Sequence, residues 1–141
     1  VATGDLTQQH VDTTASPNGT AEAEGPFTPR QLFRLDEALS AADRESGLTF
    51  SVYVGPLGHD SRPAAEALLD QLPDPARSVL LATDPDQRVV EIVTGAESAR
   101  RLPDRICALA ALSMTAAFGG GDLTGGTVTG LRMLADQARL A

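Results

Sequence analysis

Five carboxylates, Asp84, Asp86, Glu97, Asp104 and Asp122, are the residues of this chain whose type and placement best suit chemistry. A hard divalent cation such as calcium takes about six to eight oxygen ligands, and acids beside turns and backbone carbonyls are natural suppliers. Asp84 and Asp86 sit two apart in an Asp-Pro-Asp-Gln turn, a spacing that can hold a cation. Both residue types are also ordinary turn formers. Asp104 follows Pro103, and Asp122 follows three glycines, so each is equally placed to cap a helix N-terminus. The spacing and terminal Glu of an EF-hand are missing.

Other groups are poorer candidates. His59, beside Asp60, Ser61 and Arg62, follows the first strand of the folded part, where α/β sheets place ligands. No Gly-x-Ser-x-Gly elbow accompanies it, and one histidine does not make a zinc site. Cys107 is the single cysteine, set among Ala and Leu, and reads as a small buried hydrophobe. The run from Phe118 to Gly126 is glycine-rich but has no Lys and joins two helices, so a phosphate loop is not expected. Arg100, Arg101 and Arg105 form a basic cluster. On one helix, Arg101 and Arg105 would share a face and could meet an acidic partner.

All 11 basic residues are Arg, and the net charge is −8. Without Lys there is no Schiff-base chemistry. With the arginines scattered among acids, nucleic-acid binding is not expected. No apolar run reaches the ~20 residues of a membrane-spanning helix, and the N-terminus lacks signal-peptide regions. The expectation is a cytoplasmic protein without a transmembrane segment.

The elements that must position these groups follow from patterning. Residues 1–26 are polar, with no apolar period, and are expected to form a mobile tail with a short strand near Leu6 to Val11. The domain spans 27–141. Thr28, Pro29 and Gln31 form a capping box with Pro at the first helical position. Phe27 and Leu32 form a hydrophobic staple, Leu32, Leu35, Leu39 and Ala42 mark the buried face, and Gly47 ends the helix. Leu48 to Val54 alternates as a strand, and a second helix runs from Ser61 or Arg62 to Leu72. Ser78 to Thr83 is apolar enough for a strand covered on both faces. A type I turn with Asp84 first and Pro85 second leads into the strand Val89 to Thr94. Two helices follow, Asp104 to Phe118 and Leu123 to Ala138. Gly126 and Gly130 share a face of the last, suited to close approach to Ala108, Ala111 and Ala116.

In this order the residues resemble the TPM domain family. The features that carry the resemblance are the capped first helix, Phe50-Ser51-Val52-Tyr53-Val54, Val79-Leu80-Leu81-Ala82, and Val90-Glu91-Ile92-Val93-Thr94-Gly95. Glu97, Leu102, Asp104, Phe118 and Gly121-Asp122-Leu123 complete it. The family includes thylakoid-lumen repair and phosphatase-like proteins, and the match is nearest to a soluble bacterial branch. The resemblance implies an α/β fold, an αβαββαα sandwich in which a small mixed sheet carries helices on both faces. It also implies a non-catalytic protein-interaction or assembly module, with a protein partner and calcium (Ca2+) as the candidate cation at Glu97, Asp104 and Asp122, the acids that match the family pattern. Asp84 and Asp86 join the candidate ligands through their turn spacing alone. The alternative it implies is a weak metal-assisted acid phosphatase.

Overall fold

The computed structural model describes residues 2–3 and 26–141. Their elements are β1 (Ala2–Thr3), α1 (Pro29–Ser46), β2 (Thr49–Val54), α2 (Ser61–Asp70), β3 (Ser78–Asp84), β4 (Val89–Thr94), α3 (Asp104–Gly119) and α4 (Leu123–Leu140). Short 3-10 turns at Pro75–Arg77 and Ser98–Arg100 join α2 to β3 and β4 to α3. From α1 onward the order is αβαββαα, as the patterning predicts.

The sheet order is β1-β2-β3-β4. β2 and β3 are parallel, from Thr49 opposite Ser78 to Val54 opposite Thr83. Parallel neighbours need a crossover connection, and α2 supplies it. β3 and β4 are antiparallel, from Val79 opposite Thr94 to Asp84 opposite Val89. β1 is a departure from the expected tail: Ala2 and Thr3 pair in parallel with Tyr53 and Val54 on the outer edge of β2. The strand expected near Leu6 to Val11 lies outside the described residues.

Helices cover both faces. On one, α4 lies between α1 and α3. Leu35, Ala110, Met114, Leu131 and Leu134 meet Phe50, Val52, Val79, Leu81 and Ile92. On the other, Ala65, Leu69 and Leu72 pack on Tyr53, Leu80, Ala82 and Val93. Successive strand side chains point to opposite faces, so each layer takes alternate residues. All seven residues of β3 are buried, as its apolar run requires.

Local chemistry fixes the element ends. The Gln31 N–H donates to Thr28 Oγ1 at 3.1 Å, and the Thr28 N–H donates to Gln31 Oε1 at 2.9 Å. Gly47 stops α1 at φ 78°, a left-handed conformation that costs a side-chain-bearing residue about 1–2 kcal/mol. The chain then turns so that the Phe50 N–H donates to Asp43 Oδ1 at 2.8 Å. Burial pushes the Asp43 carboxyl up, and this N–H partly restores it.

Gly130 and Gly126 do mark a close approach, with Met114, Phe118 and Ala117 as the nearest neighbours instead of Ala108 or Ala116, while Ala111 is partly buried against the core. A Cβ on Gly130 would stand 2.6 Å from Met114 Sδ, and one on Gly126 would stand 2.7 Å from Phe118 Cε1 and 2.9 Å from Ala117 Cβ. α4 therefore sits against the side of α3 that carries Met114, Ala117 and Phe118. Ala108 and Ala116 are left facing outward.

Candidate functional site

The hairpin acids do structural work. Asp84 ends β3 with only 4% of its surface exposed. Its Oδ2 accepts the Leu57 N–H at 2.9 Å and Gln87 Nε2 at 2.7 Å, and its Oδ1 accepts the Gln87 N–H at 3.3 Å. Burial alone would push this carboxyl up. The Gln87 side chain and the N–H groups of Leu57, Gln87 and Asp86 outweigh burial and hold it below the usual carboxylate value. Gln87 Nε2 also donates to the Gly58 carbonyl at 2.7 Å. Asp84 and Gln87 thus clasp the loop after β2 to the β3–β4 hairpin. The backbone turn is displaced by one residue from the expected frame. The Arg88 N–H donates to the Pro85 carbonyl at 3.2 Å, and Arg88 takes a φ of 57°. The reason is that the Asp84 side chain, not its carbonyl, receives the Gln87 N–H. Asp86 is exposed in this turn.

The remaining acids lie elsewhere. Glu97 accepts Arg77 Nη1 at 2.8 Å, while Arg77 Nη2 donates to the Gly47 carbonyl at 2.7 Å. The Glu97 N–H bonds the Ala76 carbonyl, beside the start of β3. Asp84 stands at the other end of that strand, about 20 Å away at ~3.3 Å per residue. Asp104 is the first residue of α3, not its cap; Pro103 holds the cap position and no side chain bonds there. The proline ring holds Pro103 at φ −67° and its ψ of 162° makes the backbone extended before the helix, with no side-chain cap bond, so Asp104 acts only through its charge near the helix N-terminus. Asp122 does cap α4, its Oδ1 accepting the Gly125 N–H at 2.8 Å. The 16 residues of α3, about 24 Å of helix, separate Asp104 from Asp122. The five carboxylates do not converge on one cation. Among the described residues no group of three or more His, Cys, Asp or Glu side chains is placed to hold a metal.

The loop after β2 gathers no triad. His59 is exposed, and Ser61 Oγ donates to Glu91 Oε2 at 2.6 Å. Arg62 joins the same group, with Nη1 3.0 Å from the Ile92 carbonyl and 3.5 Å from Glu91 Oε1. That carbonyl lies on the edge of β4 that pairs with no other strand among the described residues. The Arg62 charge guards the edge against pairing with another strand. Cys107 is buried, as its neighbours predict.

The basic cluster is divided. Arg101 precedes α3 instead of lying on it, and its Nε and Nη2 donate to the Ala138 carbonyl at 3.0 and 2.6 Å. It therefore satisfies the C-terminal end of α4 and shares no helical face with Arg105. Arg100 and Arg105 are exposed and form no ion pair with the described residues.

One surface was not singled out by motif. Residues 106–121 carry no charge, and α3 turns Ala108, Leu109, Leu112 and Ala116 to solvent. Leu109 is 51% exposed and Leu112 is 67% exposed. Helices that are apolar all round are normally buried. The signal was present in the spacing of Arg105, Leu109, Leu112 and Ala116, which rises by four, three and four. That is the period of a helix-pairing seam. On the opposite side of the helical layer, a groove of about 420 Å³ opens between α1 and α4. Its floor includes Ala38, Ala41 and Ala135, and charged residues of both signs edge it. No helix of the described residues is long and apolar enough to cross a membrane.

Comparison with known proteins agrees with this architecture. A solution structure of the N-terminal domain of a protein from P. gingivalis superposes with a TM-score of 0.68 at 20% identity. The match covers 79% of this chain and 75% of that one, and it shows the fold alone. Uncharacterized proteins of Mycobacterium tuberculosis strains H37Rv and CDC 1551 / Oshkosh are 33% identical over 109 residues. These matches cover 77% of this chain, which spans 65% of the length of those relatives. A family model matches residues 6–135. The chain belongs to that family, DUF5130, described as a domain of unknown function.

Proposed function

We propose that this domain is a non-catalytic protein-interaction module of the assembly type that the TPM resemblance implies, and that it docks through the outer face of α3. The observation that carries this reading is the uncharged 106–121 segment, which leaves Leu109 and Leu112 exposed on one side of a helix whose other sides are packed. Covering these two side chains contributes on the order of 2–3 kcal/mol, a substantial share of a weak protein interface. The partner surface suited to it is an apolar helix or groove with polar margins.

The phosphatase alternative is less well supported. Metal-assisted phosphoryl transfer needs ligands around one or two close ions, whereas Asp84 is engaged by N–H donors and Glu97 by Arg77. A calcium role would fall to isolated acids at separate ends of the fold.

The test is photo-crosslinking in the source cell from a probe at position 116, with the adduct identified by mass spectrometry. The expected result is one discrete adduct that disappears in Leu109→Glu/Leu112→Glu while the melting temperature stays unchanged. An adduct equally strong in that variant, or none at all, removes α3 as the docking face.

A further inference from the structure

We propose that the partner of the α3 face is a second copy of this chain, bound as an antiparallel α3–α3 pair about a two-fold axis. The inference rests on the interaction reading above and adds the identity of the partner.

The seam is self-complementary. In an antiparallel pair centred between residues 110 and 111, Leu109 of each copy faces Leu112 of the other, and Arg105 faces Ala116. A two-fold interface must satisfy this condition, because one patch meets itself. The small side chains of Ala108 and Ala116 let the helices approach while the two leucine pairs fill the centre.

Charge is complementary as well. The N-terminal end of α3 carries Asp104 and Arg105, with Arg100 just before the helix. Arg105 stands on the seam and Asp104 one residue off it, so the end is basic on balance, and neither arginine has an ionic partner among the described residues. The C-terminal end carries the negative pole of the helix, with Asp122 three residues beyond Gly119. Antiparallel pairing sets each basic end against the negative end of the other copy; parallel pairing would set like ends together. The middle of the seam contains no charge to desolvate. A single helical seam is smaller than the ~1,600 Å² of a standard interface, and each chain has a net charge of −8. The pair is therefore concentration-dependent, with a Kd of roughly micromolar order.

Sedimentation equilibrium of the full chain at near-physiological salt, over roughly 5–500 µM, tests the proposal. The expected mass rises with concentration from 14.6 kDa toward twice that value. Leu112→Glu, at a position two-thirds exposed and so compatible with folding, stays at the single-chain mass throughout. Arg105→Glu weakens the pair about tenfold or more. A wild-type chain that keeps the single-chain mass at every concentration overturns self-pairing. So does an assembly that Leu112→Glu leaves intact. If self-pairing fails while the cellular adduct from position 116 still forms with a different protein, the interaction reading stands and only the identity of the partner is lost.

Discussion

The Leu57 N–H donates to Asp84 Oδ2 at 2.9 Å across 27 residues of sequence, and this bond joins the loop after β2 to the end of β3. With Gln87 bridging the same carboxylate to the Gly58 carbonyl, the acidic turn is a clasp rather than a ligand set. Its donors are N–H groups, which favour the ionised carboxylate.

Asp84 should therefore couple folding to pH. Its folded-state pKa lies below the unfolded value of about 3.9. Its contribution is thus present above the unfolded value and is lost as pH falls through the folded one. Asp84→Asn keeps one acceptor but sets an amide NH2 against the Gln87 donor, at an expected cost of about 1–3 kcal/mol at pH 7. Denaturant titrations of both proteins from neutral pH to about pH 2 should show that difference shrinking below about pH 4. A constant difference would show that the Asp84 charge has no part in the clasp.

The α4 cap gives a sharper test, because it explains a glycine. A Cβ on Gly125 would run into the Asp122 carboxylate, whose Oδ1 already accepts the Gly125 N–H. Asp122→Ala should cost about 1 kcal/mol through loss of the cap. Gly125→Ala should destabilise the wild type through the clash. In the Asp122→Ala background the clash is gone, and the same change should be neutral or stabilise by up to about 1 kcal/mol through helix propensity. A double-mutant cycle measured by thermal denaturation reads this coupling directly. Additive effects would mean that the glycine is required for another reason.

These two sites show how far the sequence was legible. Thr28, Gln31 and Gly47 act through neighbours only a few residues away, so their roles in α1 could be read from spacing. Asp122 likewise caps a helix that begins at the next residue. Asp84 and Arg101 could be read only in part, because Leu57 and Ala138 come to them through the tertiary fold. The carboxylates looked like a set in one dimension, and the lengths of β3 and α3 separate them in three. The α3 face was obscured for a related reason. An apolar helix reads as buried on every side until packing shows that Gly126 and Gly130 of α4 receive Met114 and Phe118, leaving Leu109 and Leu112 outside.

Cys107 provides a probe of that same helix. It faces the core from α3, with Sγ 3.7 Å from the Leu102 carbonyl. Burial first, and then the Asp104 carboxylate, push its thiol up against a smaller opposing effect of the Arg62 charge. Because thiolate is the reactive form, labelling of the native chain at pH 8 should be at least about 100-fold slower than labelling of the unfolded chain. It should accelerate with denaturant as local opening gives way to global unfolding. The sign of the pH effect follows from the raised value. The thiol's contribution to stability is complete below the unfolded value of about 8.5 and is lost as pH rises through the folded one. Cys107→Ala, which removes the titrating group, should therefore show a flatter loss of stability above about pH 8.5 than the wild type. Rapid, denaturant-independent labelling of the native chain would place Cys107 on a mobile surface and remove α3 as a rigid platform for docking.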